Sequence, residues 1–161
     1  MPRRHAPSPG PEYHVTAEFR APLPFVFRWC TDFRPNDDRL EGESYDRRVV
    51  RRARRNVVFE DLSDASSGGW SWVRHVVTLS PPDHWHSESL GSHRTASIDY
   101  RLTALGPERT RLDLVWRRRP TALAGRPPSK ATIERETTRG WRNFARALER
   151  DYRRTRRPRA R

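Results

Sequence analysis

Tyr13, Val15, Ala17 and Phe19 alternate with His14, Thr16, Glu18 and Arg20, the period-2 pattern of a strand with one buried face. Ala21-Pro22 ends that strand, and Pro24 suits the first turn of a helix, where its missing N–H costs little. Residues 25–30 are predicted as a short aromatic helix carrying Phe25, Phe27 and Trp29. Thr31-Asp32 breaks it, and Pro35-Asn36-Asp37-Asp38 reads as the acidic start of a second short helix. Strand-like segments then follow at 44–54, 56–62, 70–79, 85–90, 95–105 and 111–119. Most are separated by turn chemistry: Ser66-Ser67-Gly68-Gly69, Pro81-Pro82-Asp83, Gly91-Ser92 and Gly106-Pro107-Glu108. In the last two segments Ile98, Tyr100 and Leu102 share a face, as do Leu112, Leu114 and Trp116.

Residues 120–128 hold Pro120, Gly125, Pro127 and Pro128 and read as a loop, after which Ser129 can cap a helix. Ile133, Thr137, Trp141, Phe144, Leu148 and Tyr152 recur at three- and four-residue steps and define one apolar stripe to about residue 154. Some 25 helical residues give a rod of roughly 37 Å, enough to cross a seven-stranded sheet. Gly140 weakens that rod locally and is the place for a close approach by a strand or ligand. This order predicts an α+β fold, with two short helices after the first strand and a curved seven-stranded antiparallel sheet wrapped around a long C-terminal helix. Such a shape encloses a cavity. The expected organisation is a disordered leader at 1–11, one domain at 12–152 and a basic tail at 153–161.

Composition first argues against folding. Leu, Ile, Val and Phe supply only 29 of 161 residues and the net charge is +13, a disorder-like balance. Six Trp, four Tyr and six Phe oppose that reading, and the charge is unevenly placed. Residues 1–11 carry two arginines, 47–55 carry six and 153–161 carry six, none of these segments with an acid, so the remaining body is nearly neutral. Lys130 is the sole lysine, a bias that base composition of the genome explains as readily as selection for a ligand. Cys30 is the sole cysteine, which excludes an internal disulfide and fits a reducing compartment. Arg3-Arg4 is followed by prolines rather than an apolar run, and no stretch approaches the ~18 apolar residues of a membrane span, so the expected location is the cytoplasm.

Four local features resemble one superfamily. They are Ala21-Pro22 before a helix with Val26-Phe27, the run Trp29-Cys30-Thr31-Asp32-Phe33, the run Val77-Thr78-Leu79-Ser80-Pro81-Pro82, and a terminal helix with Trp141 and Phe144. Over residues 12–152 the chain resembles the SRPBCC superfamily, the START-like helix-grip proteins that include polyketide cyclases/dehydrases and lipid-transfer proteins. The resemblance implies a helix-grip fold and a carried sterol, lipid, quinone or polyketide; only some members are enzymes, and none of the four features is a catalytic signature.

Binding of a hydrophobic or aromatic small molecule between sheet and C-terminal helix is therefore the expected function. The alternatives are a cyclase/dehydratase using the same cavity and a basic nucleic-acid-associated protein. Trp70, Trp72, Tyr100, Trp116, Trp141 and Phe144 are the candidate wall. On 70–79, Arg74 and His75 occupy opposite faces, and alternation leaves open which one points inward. An interior Arg74 would meet a carboxylate or phosphate on the ligand; an interior His75 would serve as acid or base. His84 and His86 share a strand face but fall short of the three or four ligands zinc requires, and no metal or cofactor is expected. Cys30 reads as a structural thiol and Asp32 as a cap or turn residue. The arginines of 47–55 fall on both faces of a strand. Because an interior does not absorb unpaired charge, that hairpin either extends past the core or is paired by acids such as Glu60 and Asp61. Nucleic acid enters only as a non-specific partner of these arginine-rich segments.

Overall fold

The first strand of the chain pairs with the last, and that one long-range pairing sets the topology. The computed structural model describes residues 10–41, 44–64, 68–121, 124, 126 and 128–156. Strand β1 (Glu12–Phe19) leads into α1 (Leu23–Cys30) and α2 (Asp38–Glu41). Strands β2 (Asp46–Arg52), β3 (Asn56–Asp64), β4 (Trp70–Ser80), β5 (His84–Gly91), β6 (Arg94–Gly106) and β7 (Arg109–Pro120) form a meander, and α3 (Lys130–Arg156) follows. The sheet order is β1-β7-β6-β5-β4-β3-β2, antiparallel throughout. This is the helix-grip arrangement, a curved seven-stranded sheet held against one long helix. Residues 1–9 of the expected leader, Ser66-Ser67 of one turn, Gly125 and Pro127 of the loop and residues 157–161 of the expected tail lie outside the described residues.

Each helix follows from its sequence. Pro22 caps α1 in extended backbone, Pro24 sits in the first turn, and the helix buries Val26, Phe27 and Trp29. Thr31 ends α1 by turning both its N–H and its hydroxyl to the Phe27 carbonyl, at 3.1 and 2.7 Å. Ser129 caps α3, its Oγ accepting from the Thr132 N–H at 3.2 Å. Residues 153–156, read as tail from their charge, continue α3. A Cβ built on Gly140 would meet nothing within 4 Å, so this glycine serves no close approach.

The core lies between α3, α1 and the lower part of the sheet's inner face. Phe19, Val26, Val57, Val77, Trp85, Leu102, Leu112 and Leu148 are its most buried members. The registers align these residues in rows. One row runs Val15, Leu114, Tyr100, Trp85, Leu79; the next runs Tyr13, Trp116, Ile98, Ser87, Val77, Val57. Trp29 Nε1 donates to Asp151 Oδ2 at 2.9 Å, which ties the end of α3 to α1.

Candidate functional site

One row further along the sheet, the inner face changes character. That row runs Arg118, Ala96, Ser89, His75, Phe59, Val49, and beyond it come Gly91, Val73, Asp61 and Arg47. Val57, Val77 and Leu102 are closed off, whereas Val73, His75, Ala96, Ile98 and Arg118 keep partial exposure. The backbone of α3 comes closest to β1 and α2. The inner face is closed at one end and accessible at the other, with Ser87 and Ser89 buried at the boundary.

Five polar side chains are linked in series here. Ser89 Oγ and His75 Nδ1 are hydrogen-bonded at 2.8 Å. The other ring nitrogen, Nε2, lies 3.5 Å from Asp61 Oδ2. Asp61 takes a bidentate pair from Arg47, Nε to Oδ1 at 2.8 Å and Nη2 to Oδ2 at 2.9 Å. Arg47 Nη1 continues to Asp37 Oδ2 at 2.8 Å. Aromatic rings pack around the series. Phe59 stacks on His75 with centroids 4.5 Å apart, Phe33 stacks on Phe59 at 4.9 Å, and the Arg47 guanidinium lies 4.4 Å from the Phe59 centroid. Phe33 holds φ +48°, a left-handed backbone that a bulky side chain rarely adopts, and its stacked ring rests there.

The charges in this series are set by burial and by partners acting against it. Burial works to raise the Asp61 pKa, but the hydrogen bonds and charges of Arg47 and His75 outweigh it and hold the carboxyl below the usual carboxylate range. Arg47 is raised despite burial because Asp61 and Asp37 favour its charged form. Asp37 receives only one of Arg47's donors; burial, reinforced by nearby Asp32, pushes it up to about 6. A carboxyl whose folded pKa exceeds its unfolded value stabilises while protonated, and that contribution is lost as pH rises from about 4 to about 6. Asp37→Asn removes the titration. Urea denaturation from pH 4 to 7 is expected to show wild type losing about 2–3 kcal/mol relative to the variant across that window, a shift near two pKa units at 1.36 kcal/mol each. A constant difference across the range would refute the assignment.

Of the residues singled out in the sequence, His75 is the one of the Arg74/His75 pair that turns inward. Trp70, Trp72 and Arg74 lie on the outer face: Trp70 is 68% exposed, and Arg74 pairs with Glu60 (Nη2–Oε1 2.5 Å) while its guanidinium lies 5.7 Å from the Trp72 centroid. The aliphatic side chains of β4 decide this, because Val73, Val77 and Leu79 must join Val57 and Trp85 inside. Tyr100, Trp116, Trp141 and Phe144 face the interior and pack on other rings. Tyr100 stacks on Trp85 at 4.7 Å, Trp116 on Tyr13 at 5.0 Å, and Trp141 meets both Tyr100 and Phe144. Pairing of the 47–55 arginines by acids such as Asp61 is one of the two expectations from the sequence, and Arg47 realises it; Ser89 is the member of the series that the sequence patterns miss. The signal for the Arg47–Asp61 pair is cross-strand: a β2–β3 hairpin turning at 53–55 sets Arg47 opposite Asp61.

The remaining arginines of 47–55 run along an edge strand. Arg48 and Arg51 are exposed, and Arg52 donates to the Asp32 carbonyl at 2.6 Å. Charge on an exposed edge discourages further strand pairing. Cys30 is pushed up by burial, with Asp32 and Asp37 adding to it, and is held as a thiol. His84 and His86 lie on the outer face around Asp99; His86 is raised because its bonds to Asp99 (2.9 Å) and Glu88 (2.7 Å) overcome desolvation. Among the described residues no group of three His, Cys, Asp or Glu is placed to hold a metal ion, and no helix is long and apolar enough to cross a membrane. Two open grooves flank α3. One, of about 530 Å³, lies between α1 and the end of α3, and the other, of about 390 Å³, lies beside β1.

Solved structures of the same shape exist. The Zhui aromatase/cyclase from Streptomyces sp. R1128 is matched with a TM-score of 0.67 at 16% identity, over 91% of this chain and 96% of that one. A START superfamily protein from Mycobacterium smegmatis is matched at 0.64 and 14% identity, over 89% and 98% of the two chains. The human StarD13 lipid transfer and protein localization domain is matched at 0.59 and 12%, over 85% and 76%. No family model matches the sequence. No curated protein matches it. At these identities the likeness is one of fold.

Proposed function

We propose, from the SRPBCC/START-like helix-grip fold of this chain, that it binds a hydrophobic or aromatic small molecule bearing a polar group, seated on the accessible part of the inner face. The observation that carries this reading is His75: a part-exposed imidazole on the inner face, stacked on Phe59, bonded at one nitrogen to Ser89 and 3.5 Å from Asp61 at the other. Apolar walls with a few convergent polar groups are the usual make-up of a small-molecule site. Val73, Ala96 and Ile98 supply wall on the strand side, and Ser87, Ser89 and His75 supply hydrogen bonds.

Native mass spectrometry of the full chain purified from its own host tests this. A co-purifying organic mass is expected, and its occupancy is expected to fall at least tenfold in Ser89→Ala, which removes the hydroxyl and adds no bulk; tenfold corresponds to about 1.4 kcal/mol. Protein that carries nothing, and that takes up neither a fatty acid nor a flat polycyclic phenol, would end the reading.

The series Ser89–His75–Asp61 favours a second reading, of cyclase/dehydratase type. A histidine oriented by a carboxylate is suited to take a proton from a methylene between two carbonyls and return one to the oxygen that leaves as water. The aromatase/cyclase among the similar structures supports it as analogy of fold. Turnover of a short poly-β-keto thioester that survives unchanged in His75→Ala would remove it.

A further inference from the structure

We infer that the free edge of β1, beside α3, is a second binding site, for a small organic carboxylate. Strand β1 is an edge strand, and its register with β7 is unbroken from Glu12 to Phe19. The His14 N–H donates to Glu134 Oε1 at 2.9 Å, away from β7, and the Arg20 N–H donates to Glu149 Oε1 at 3.0 Å. In an extended strand N–H groups alternate sides, so those of Thr16 and Glu18 point the same way as those of His14 and Arg20. Neither has a partner among the described residues. The edge thus presents four donors in line, the outer two already satisfied by carboxylates and the inner two open.

The helix leaves room where the donors are open. Along α3 the residues facing this edge are Glu134, Thr138, Arg142, Ala145 and Glu149; the long acids stand at the ends, with Thr138 and Ala145 between them. A groove of about 390 Å³ opens there, lined by Thr16, Ala17, Glu18, Thr138, Trp141, Arg142 and Ala145 among others. That volume lies at the small end of the range for small-molecule sites. Arg142 is exposed and makes no ion pair among the described residues, whereas the Glu18 carboxylate is already held by Arg109 at 2.7 Å. One carboxylate takes one open N–H together with the Arg142 guanidinium, and an apolar body rests on Trp141 and Ala145. The chain's own chemistry names the complement, because carboxylate oxygens satisfy the two neighbouring amides of the same edge. Adjacent open amides lie near 6.7 Å apart, two residues along the strand, so one carboxylate engages one of them at a time.

The test is a titration of the ¹⁵N-labelled full chain with phenylacetate, with phenylacetamide as the neutral counterpart. Saturable shifts of the Thr16 or Glu18 amide are expected with the acid and not with the amide. Arg142→Gln is expected to weaken binding at least tenfold, and Ala145→Leu to abolish it by filling the groove, while Arg139→Gln leaves it unchanged. The inference is overturned if neither amide shifts saturably, if Arg142→Gln binds as wild type does, or if the acid instead shifts the amides of His75 and Ser89, which would place it at the interior site.

Discussion

Arg47→Ala is expected to destabilise the protein by about 3–5 kcal/mol, the usual cost of breaking a buried ion pair from one side. The Arg47 side chain is only 6% exposed, with Asp61 at 14% and Asp37 at 12%. Removing it strips Asp61 of two hydrogen bonds and Asp37 of one, and leaves two carboxylates facing each other in a site closed to most solvent. The deficit depends on pH in a defined direction. Without Arg47 both carboxyls have folded pKa values raised above their unfolded ones, so protonation relieves the penalty. The loss is therefore largest near neutral pH and shrinks as pH falls, beginning above the value of about 6 that Asp37 already has with Arg47 present. Urea denaturation of wild type and variant at pH 7 and pH 4.5 measures both. An equal loss at the two pH values would show that packing on Phe59 and Tyr45, rather than charge, is what Arg47 supplies. Replacing Arg47, Asp61 and Asp37 together by leucine or methionine is expected to recover most of the stability, since apolar residues of like volume often match a buried ionic group.

That buried arginine marks the limit of what one-dimensional patterns carried. Alternation in 13–19, 98–102 and 112–116 located β1, β6 and β7, because each of those strands has one buried and one wet face and so writes its orientation directly. The stripe Ile133, Trp141, Phe144, Leu148 located α3 for the same reason. Strand β4 resists such reading. Its outer face holds Trp70, Trp72 and Val76 and its inner face holds Val73, Val77 and Leu79 beside Ser71 and His75, so a count of apolar side chains on the strand alone does not separate the two faces. Register resolves it: once Phe59 is opposite His75 and Glu60 opposite Arg74, the acid and the arginine pair outside and the rings stack inside. The same holds for Arg47, which belongs to a run of six arginines and differs from the others only in lying across from Asp61. Polar groups on an inner face are exceptions to the rule that builds the face, so a rule based on the majority passes over them.

Trp85→Ala is expected to cost about 3–5 kcal/mol, the range for emptying a large aromatic site in a core. Trp85 is 2% exposed and ranks among the largest fully buried side chains. Tyr100 stacks on it at 4.7 Å with planes 11° apart, and Phe27 of α1 meets it edge-on at 6.0 Å. It therefore joins the short helix to the sheet, and it supports Tyr100, against which Trp141 of α3 packs at 6.1 Å. Its loss loosens three elements at once, so partial collapse of the void is resisted from both sides. Trp70→Ala gives the contrast: at 68% exposure it is expected to change stability by no more than about 0.5 kcal/mol. Thermal and urea unfolding of the two variants decide the matter. Near-UV circular dichroism of Trp85→Ala should also fall as Tyr100 and Trp141 lose fixed orientation. If Trp85→Ala unfolded within 1 kcal/mol of wild type, the closed half of the inner face would be held elsewhere, and the rigid floor beneath the proposed ligand site would have to come from Phe59 and its stacked neighbours alone.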